Sequence, residues 1–182
     1  MADGFEDIEA LAVNDALRRA GVDVKLVSVS GDWSVESSHG VCLQADALLE
    51  EVLDDCGEGG IMIFPGGMPG SKTLAGCAAL VEAMKRHHAQ GGLLAAICAA
   101  PGLVLSQLDG IEGLEMTCFN GFEQALIDKG AKFVKRPAVR SGQIITGRSA
   151  GYAVDFALCV TQALCDEESY RKVAAGMVLE CD

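Results

Sequence analysis

The chain has 182 residues and a formal net charge of −12; half of its residues are hydrophobic and 22% are charged. That length suits one domain, and a chain of this size buries roughly 70% of its unfolded surface, so it needs neither disulfides nor metal to fold. The apolar fraction excludes intrinsic disorder, and the acidic balance argues against nucleic acid or anionic membrane as main partner, because both select basic patches.

In chain order, residues 6–20 place Ile8, Leu11, Ala12, Ala16 and Leu17 at helical spacing, with Arg18 and Arg19 in the last turn and Gly21 as the stop. Residues 22–29 alternate apolar and polar, which predicts a strand. Residues 33–43 read as a short strand pair, and Asp46 as the N-cap of a helix reaching Leu53. Residues 60–65 form a buried parallel strand entering the turn Pro65-Gly66-Gly67. Helices follow over 71–76 and 78–90, the second with His87 and His88 on a polar, solvated face. Residues 92–97 make the next buried strand, Cys98 follows directly, and 99–108 resumes as a helix. The charge-free stretch 89–108 is no membrane span, because Gly91, Gly92, Pro101 and Gly102 break it. Strands are predicted at 114–117, 133–134, 138–140 and 143–146, with a hairpin tip at Ser141-Gly142. Helices are predicted at 122–129, 149–165 and 166–175. Strands separated by such helices build a parallel sheet covered on both faces, whose ligands collect at the strands' carboxyl ends. Three turns stand there: the N-terminal one, Pro65-Gly66-Gly67 and the one holding Cys98.

Eight cysteines occur, at 42, 56, 77, 98, 118, 159, 165 and 181. None forms a C-x-x-C pair, and the His39/Cys42 spacing lacks a second pair, so a structural zinc site is a poor reading. No secretory signal opens the chain, which places the thiols in reducing cytoplasm, where most behave as small buried hydrophobes. Cys98 stands apart in a strand–nucleophile–helix turn, where the helix N-terminus is expected to favour thiolate. A plain buried cysteine at a strand end is the alternative. Glu6, Asp7 and Glu9 form an acidic first turn that complements the helix dipole. Glu9, one turn further in, would meet the cysteine if it faces the sheet edge. Desolvation there would raise its pKa and suit it to proton transfer.

The runs ADGFEDIEA, FPGGMPGS, AAICAAPG, TCFNGFE and TGRSAGYAVDFAL, in that order, resemble the ThiJ/PfpI superfamily over almost the whole chain. The similarity is to its ThiJ/YajL-like branch, which includes the protein deglycases. The resemblance implies a single α/β domain: a flavodoxin-like three-layer sandwich, mostly parallel, class I glutamine amidotransferase-like. It also implies a homodimer without cofactor or metal that acts on small reactive carbonyls of the methylglyoxal type or on glycated groups. Carried over, Cys98 is the nucleophile and Glu9 its hydrogen-bonded glutamate. Gly66 and Gly67 are the amide pair of an oxyanion-hole-like pocket, joined by the Ala99 backbone. Glu6, Arg19, His39 and Arg148 fall at polar positions near the site or a dimer interface, and Cys118 and Phe119 line the pocket. Family members begin with a strand of about seven or eight residues ahead of the ADGFE-type motif. Here the motif starts at Ala2, so the central first strand is expected to be missing upstream. Its loss would expose ladder edges and lower stability relative to an extended chain. Ala99 stands where the protease-like branch carries histidine, and Asn120 replaces a usual proline. The leading function is therefore glyoxalase- or deglycase-type chemistry. A redox sensor or chaperone in which Cys98 becomes sulfinate comes second, and a cysteine peptidase or amidase, lacking its base, third.

Overall fold

The computed structural model describes residues 1–53 and 60–179; Cys56 and Cys181 lie outside these residues. Helix α1 spans Asp7–Arg19, and Glu6 caps it by accepting the Glu9 N–H. Strands β1 (Val27–Ser28), β2 (Ser34–Glu36), β3 (Cys42–Gln44) and β4 (Ala47–Leu48) follow, then the one-turn helix α2 (Leu49–Val52). Next come β5 (Ile61–Phe64), α3 (Gly70–Gly76), α4 (Ala78–Ala89), β6 (Leu93–Ile97) and α5 (Ala100–Leu103). The chain continues with β7 (Glu115–Met116), α6 (Glu123–Asp128), β8 (Lys132–Phe133), β9 (Ala138–Ser141) and β10 (Ile144–Gly147). It closes with α7 (Ala153–Leu164) and α8 (Glu167–Gly176).

The main sheet has the order β5-β6-β10-β9, parallel except for the β9–β10 hairpin. β6 and β10 are buried almost throughout, as expected of strands covered on both faces. One face packs against α3, α4, α5 and α6 through Leu74, Met84, Ala100 and Leu126. The opposite face packs against α1 and α7 through Val13, Leu17, Phe156 and Val160. This is an α/β three-layer arrangement. β1 and β4 form a separate parallel pair, β2 and β3 a hairpin, and β7 and β8 a second small pair. β1 is not laddered to β5.

Several sequence expectations are corrected here. The 22–29 strand shrinks to Val27–Ser28, because only Ala47 and Leu48 pair with it. Asp46 caps no helix; its carboxylate accepts from the Leu26 N–H and from Arg18, tying β1 to β4. The 99–108 helix breaks after Leu103 into a 3-10 turn over Leu105–Gln107. There Ser106 Oγ and Gln107 Nε2 donate to the Gly102 and Leu103 carbonyls, and such side-chain bonds compete with the helical ladder. His87 is not solvated: it is buried, bonds the Leu93 carbonyl through Nε2, and fills the space left by the missing Cβ of Gly92. His88 is half-buried, with an unpartnered Nδ1. Cys42 is exposed rather than a buried filler, whereas Cys77, Cys159 and Cys165 are half-buried. No helix among the described residues is long and apolar enough to cross a membrane.

Candidate active site

The three turns singled out at the strand ends converge. Cys98 follows β6 with φ +65°, a left-handed conformation that costs a non-glycine residue roughly 1–3 kcal/mol. Neighbours hold it there: its N–H donates to the Gly147 carbonyl at 3.0 Å, and its carbonyl accepts from the Phe119 N–H at 2.7 Å. The strain turns the side chain out of the sheet edge toward α1, where Glu9 lies only 1% exposed.

Gly66 is what lets the two groups meet. A Cβ on Gly66 would overlap Glu9 Oε2, lie 2.5 Å from Cys98 Cβ and 3.1 Å from Cys98 Sγ. Glycine is thus required between the carboxyl and the thiol. Gly67, at φ +91°, presses against the backbone of Gly4, Phe5 and Glu6, so the N-terminal turn packs directly on the second one.

The Gly66 N–H donates to Glu9 Oε2 at 3.0 Å. That amide is therefore committed to Glu9, which corrects its expected place in the oxyanion pocket. The Gly67 and Ala99 amides are the ones that lean on the Cys98 sulfur and lower its pKa. Glu9 Oε1 forms no well-aligned hydrogen bond. Hydrogen bonding from the Cys98 thiol and the Ala150 amide lowers the carboxyl's pKa.

Burial pushes Glu9 from its ordinary 4.5 up to about 7, with the charge of Glu6 adding to the rise. Burial, followed by the charge of Glu9, pushes the Cys98 thiol up to about 12. The expectation of a resting thiolate is therefore overturned. α5 is only four residues long, so its dipole is small, and two amides do not offset a dry pocket beside a carboxylate. At neutral pH the pair is a thiol beside a half-ionised carboxyl.

The remaining candidates divide. Glu6 caps α1 beside the site, and Asp7 accepts from Ser37 Oγ at 2.6 Å and bonds His39 Nδ1 at 2.7 Å. That ion pair raises the His39 pKa, and the imidazole is largely exposed. Glu6, Asp7 and His39 bring ligand atoms within 4.8 Å of one another, a geometry that could hold a metal ion, but each already has a partner. Cys118 is fully buried, and burial pushes its thiol up to about 12, which suits lining rather than reactivity. Phe119 is exposed at 45%, beside Asn120, whose side-chain Oδ1 accepts from Arg148 Nη2 at 2.7 Å. Arg19 lies at the far end of α1, paired with Asp15 and well away from Cys98. Sequence reasoning missed the Ala150 amide, which lowers the Glu9 pKa: a backbone donor leaves no side-chain signal.

The DJ-1/PfpI family profile matches residues 1–163. Protein DJ-1 homolog A of Arabidopsis thaliana is 33% identical over 98% of this chain, which spans 45% of that relative's length. The chain thus spans about half the length of that curated relative. The glutathione-independent glyoxalase DJR-1.2 of Caenorhabditis elegans is 33% identical over 87% of this chain and 82% of its own. Among solved structures, oxidised Toxoplasma gondii DJ-1 superposes with a TM-score of 0.91 at 33% identity, covering 99% of this chain and 96% of the other.

Proposed function

The chain belongs to the DJ-1/PfpI family, and on that premise we propose that it converts small reactive carbonyls, methylglyoxal as type substrate, through Cys98 and Glu9. One observation carries the reading: a strained cysteine held against a buried glutamate whose pKa sits near 7, with two backbone amides on the sulfur. A general base poised near neutrality beside a nucleophile is what carbonyl isomerisation needs. The glyoxalase relative adds weight.

Cys98 Sγ adds to the aldehyde carbon, and the thiol proton passes through Glu9 to the aldehyde oxygen, giving a hemithioacetal. The Gly67 and Ala99 amides hold the oxyanion as it forms. Glu9 then removes the proton from that carbon and returns it to the adjacent one, while the hydroxyl proton passes to the neighbouring ketone oxygen through the enediol, leaving a thioester of lactate. Water cleaves the thioester, releasing lactate and restoring the thiol. Lactate formation from methylglyoxal is to be compared for wild type, Cys98→Ser and Glu9→Gln. Turnover no higher than in Cys98→Ser rejects the reading.

The same amides and the Glu9 carboxyl would also hold a sulfinate, formed when Cys98 consumes two equivalents of peroxide and releases two waters. The oxidised Toxoplasma gondii relative favours keeping this second reading. Mass spectrometry after peroxide separates it: oxidation spread evenly over the cysteines counts against it. A peptidase reading is weaker, because Ala99 supplies no imidazole and His39 is engaged by Asp7. The homodimer implied by the resemblance is checked by sedimentation.

A further inference from the structure

Three large apolar side chains stand exposed on the turns that hold the Cys98–Glu9 pair, and the carbonyl chemistry as written uses none of them. Met68, 40% exposed, follows Gly67, whose amide bonds the Cys98 sulfur. Phe119, 45% exposed, donates its N–H to the Cys98 carbonyl at 2.7 Å. Tyr152, 40% exposed, lies two residues beyond Ala150, whose amide bonds the Glu9 carboxyl. The three come from different turns, after β5, β7 and β10, at the carboxyl ends of strands where ligands collect. Exposed apolar residues scattered singly are ordinary, but three gathered at one reactive pair mark a binding surface. The charges at the same place disfavour one class of ligand. Glu6 lies close enough to Glu9 to raise its pKa, and Glu9 itself becomes an anion above about 7. The nearby cation, Arg148, donates Nη2 to Asn120 Oδ1 at 2.7 Å, and the whole chain carries a net charge of −12. An anionic substrate is repelled there.

We propose that Met68, Phe119 and Tyr152 form a rim that selects neutral substrates bearing an aryl group, so that aryl α-oxoaldehydes, with phenylglyoxal as type, are preferred to methylglyoxal. The inference deepens the carbonyl reading and rests on it. The aldehyde carbon is fixed on Cys98 Sγ and its oxygen at the Gly67 and Ala99 amides, which leaves the group beyond the ketone to the rim. A phenyl ring stacks or meets edge-on with Phe119 and Tyr152, and the flexible, polarisable thioether of Met68 suits the ring edge. A methyl group offers little area to any of them. The steps are unchanged: phenylglyoxal and one water give mandelate, as methylglyoxal and one water give lactate.

Mandelate and lactate formation is to be followed for wild type, Phe119→Leu, Phe119→Ser and Tyr152→Ser. In wild type, kcat/KM for phenylglyoxal should exceed that for methylglyoxal at least about tenfold, mainly through KM, as covering one ring provides. Phe119→Leu keeps an apolar contact and should retain most of the preference, whereas each serine variant should lower it about fivefold or more. A second measurement needs no turnover. Cys98 is alkylated with iodoacetamide, N-phenyliodoacetamide or iodoacetate, each losing iodide while the thiol proton passes to solvent. The Cys98 peptide is quantified by mass spectrometry, with mercaptoethanol as reference thiol. Relative to that reference, Cys98 should favour the phenyl reagent over iodoacetamide at least about fivefold and disfavour iodoacetate. Selectivity equal to that of mercaptoethanol, or a phenyl preference undiminished in both serine variants, overturns the proposal. Turnover of both aldehydes without phenyl preference overturns it too and leaves the carbonyl reading standing. Phenyl preference in alkylation without turnover of either aldehyde rejects the carbonyl reading and upholds the rim.

Discussion

Replacing Glu9 with glutamine tests the electrostatics of the site without changing its shape. The Glu9 carboxyl titrates at about 7 instead of 4.5. A raised folded pKa means that the folded chain holds this proton more tightly. Its contribution is fully present below pH 4.5 and is lost as pH rises to 7. The loss amounts to roughly 3 kcal/mol. The Met1 amine works the other way: burial lowers it from 8.0 to about 5, so stability falls as pH drops through that range. The two groups oppose each other between pH 5 and 7, and the wild-type profile conceals both. The Cys98 thiol adds nothing there, because its ordinary pKa of 9.0 and its raised one both lie higher. Glutamine keeps an acceptor for the Gly66 N–H but carries no charge. Urea unfolding of wild type and Glu9→Gln at about pH 4 and pH 8 isolates the term, since Met1 and all surface groups cancel in the difference. The variant should gain roughly 3 kcal/mol relative to wild type between the two conditions. In thermal melts this is roughly 6–12 °C for a domain of this size. A difference independent of pH would refute the burial argument for Glu9.

Three further outcomes follow. Lactate formation should rise with pH through about 7, as Glu9 loses its proton and becomes able to accept that of the thiol; Glu9→Gln should remove this limb, and a limb that survives would point to another base. Gly66→Ala forces apart Glu9 and Cys98 and should cost about 100-fold in kcat or more, with circular dichroism showing an intact fold; activity near wild type would mean that the two side chains do not act in contact. Asp7→Asn should lower the His39 pKa toward 6.5, read by NMR titration, while an unchanged value would deny the ion pair.

The order and type of the elements were legible because strand and helix periods differ and glycine punctuates them. Cys98 was legible because the apolar run Leu93–Ile97 ends on it. Glu9 was legible only as a residue one turn too deep for a dipole role. What escaped depended on neighbours distant in sequence. The burial of His87 requires the missing side chain at Gly92, beyond the end of α4. The truncated α5 depends on Ser106 and Gln107 reaching back to its carbonyls. Asp46 turned out to serve Leu26 and Arg18, twenty and twenty-eight residues away. The division of amides, Gly66 to the carboxyl and Gly67 with Ala99 to the sulfur, is invisible in any side-chain pattern.

The high thiol pKa bears directly on how such a site would work. Above about pH 7 the buried pair has lost one proton and retains one until about pH 12. That remaining proton can sit on sulfur or on the carboxyl, and the two arrangements carry the same net charge. Attack on a carbonyl uses the arrangement with the proton on Glu9, since it supplies a nucleophilic sulfur and an acid for the developing oxyanion together. A freestanding thiolate would offer only the first. The carboxyl is costly to the fold because it is buried, and the same burial brings its pKa to the range where it gives and takes protons. Stability lost at Glu9 and proton transfer at Cys98 thus have one cause, and relieving the first by substitution removes the second.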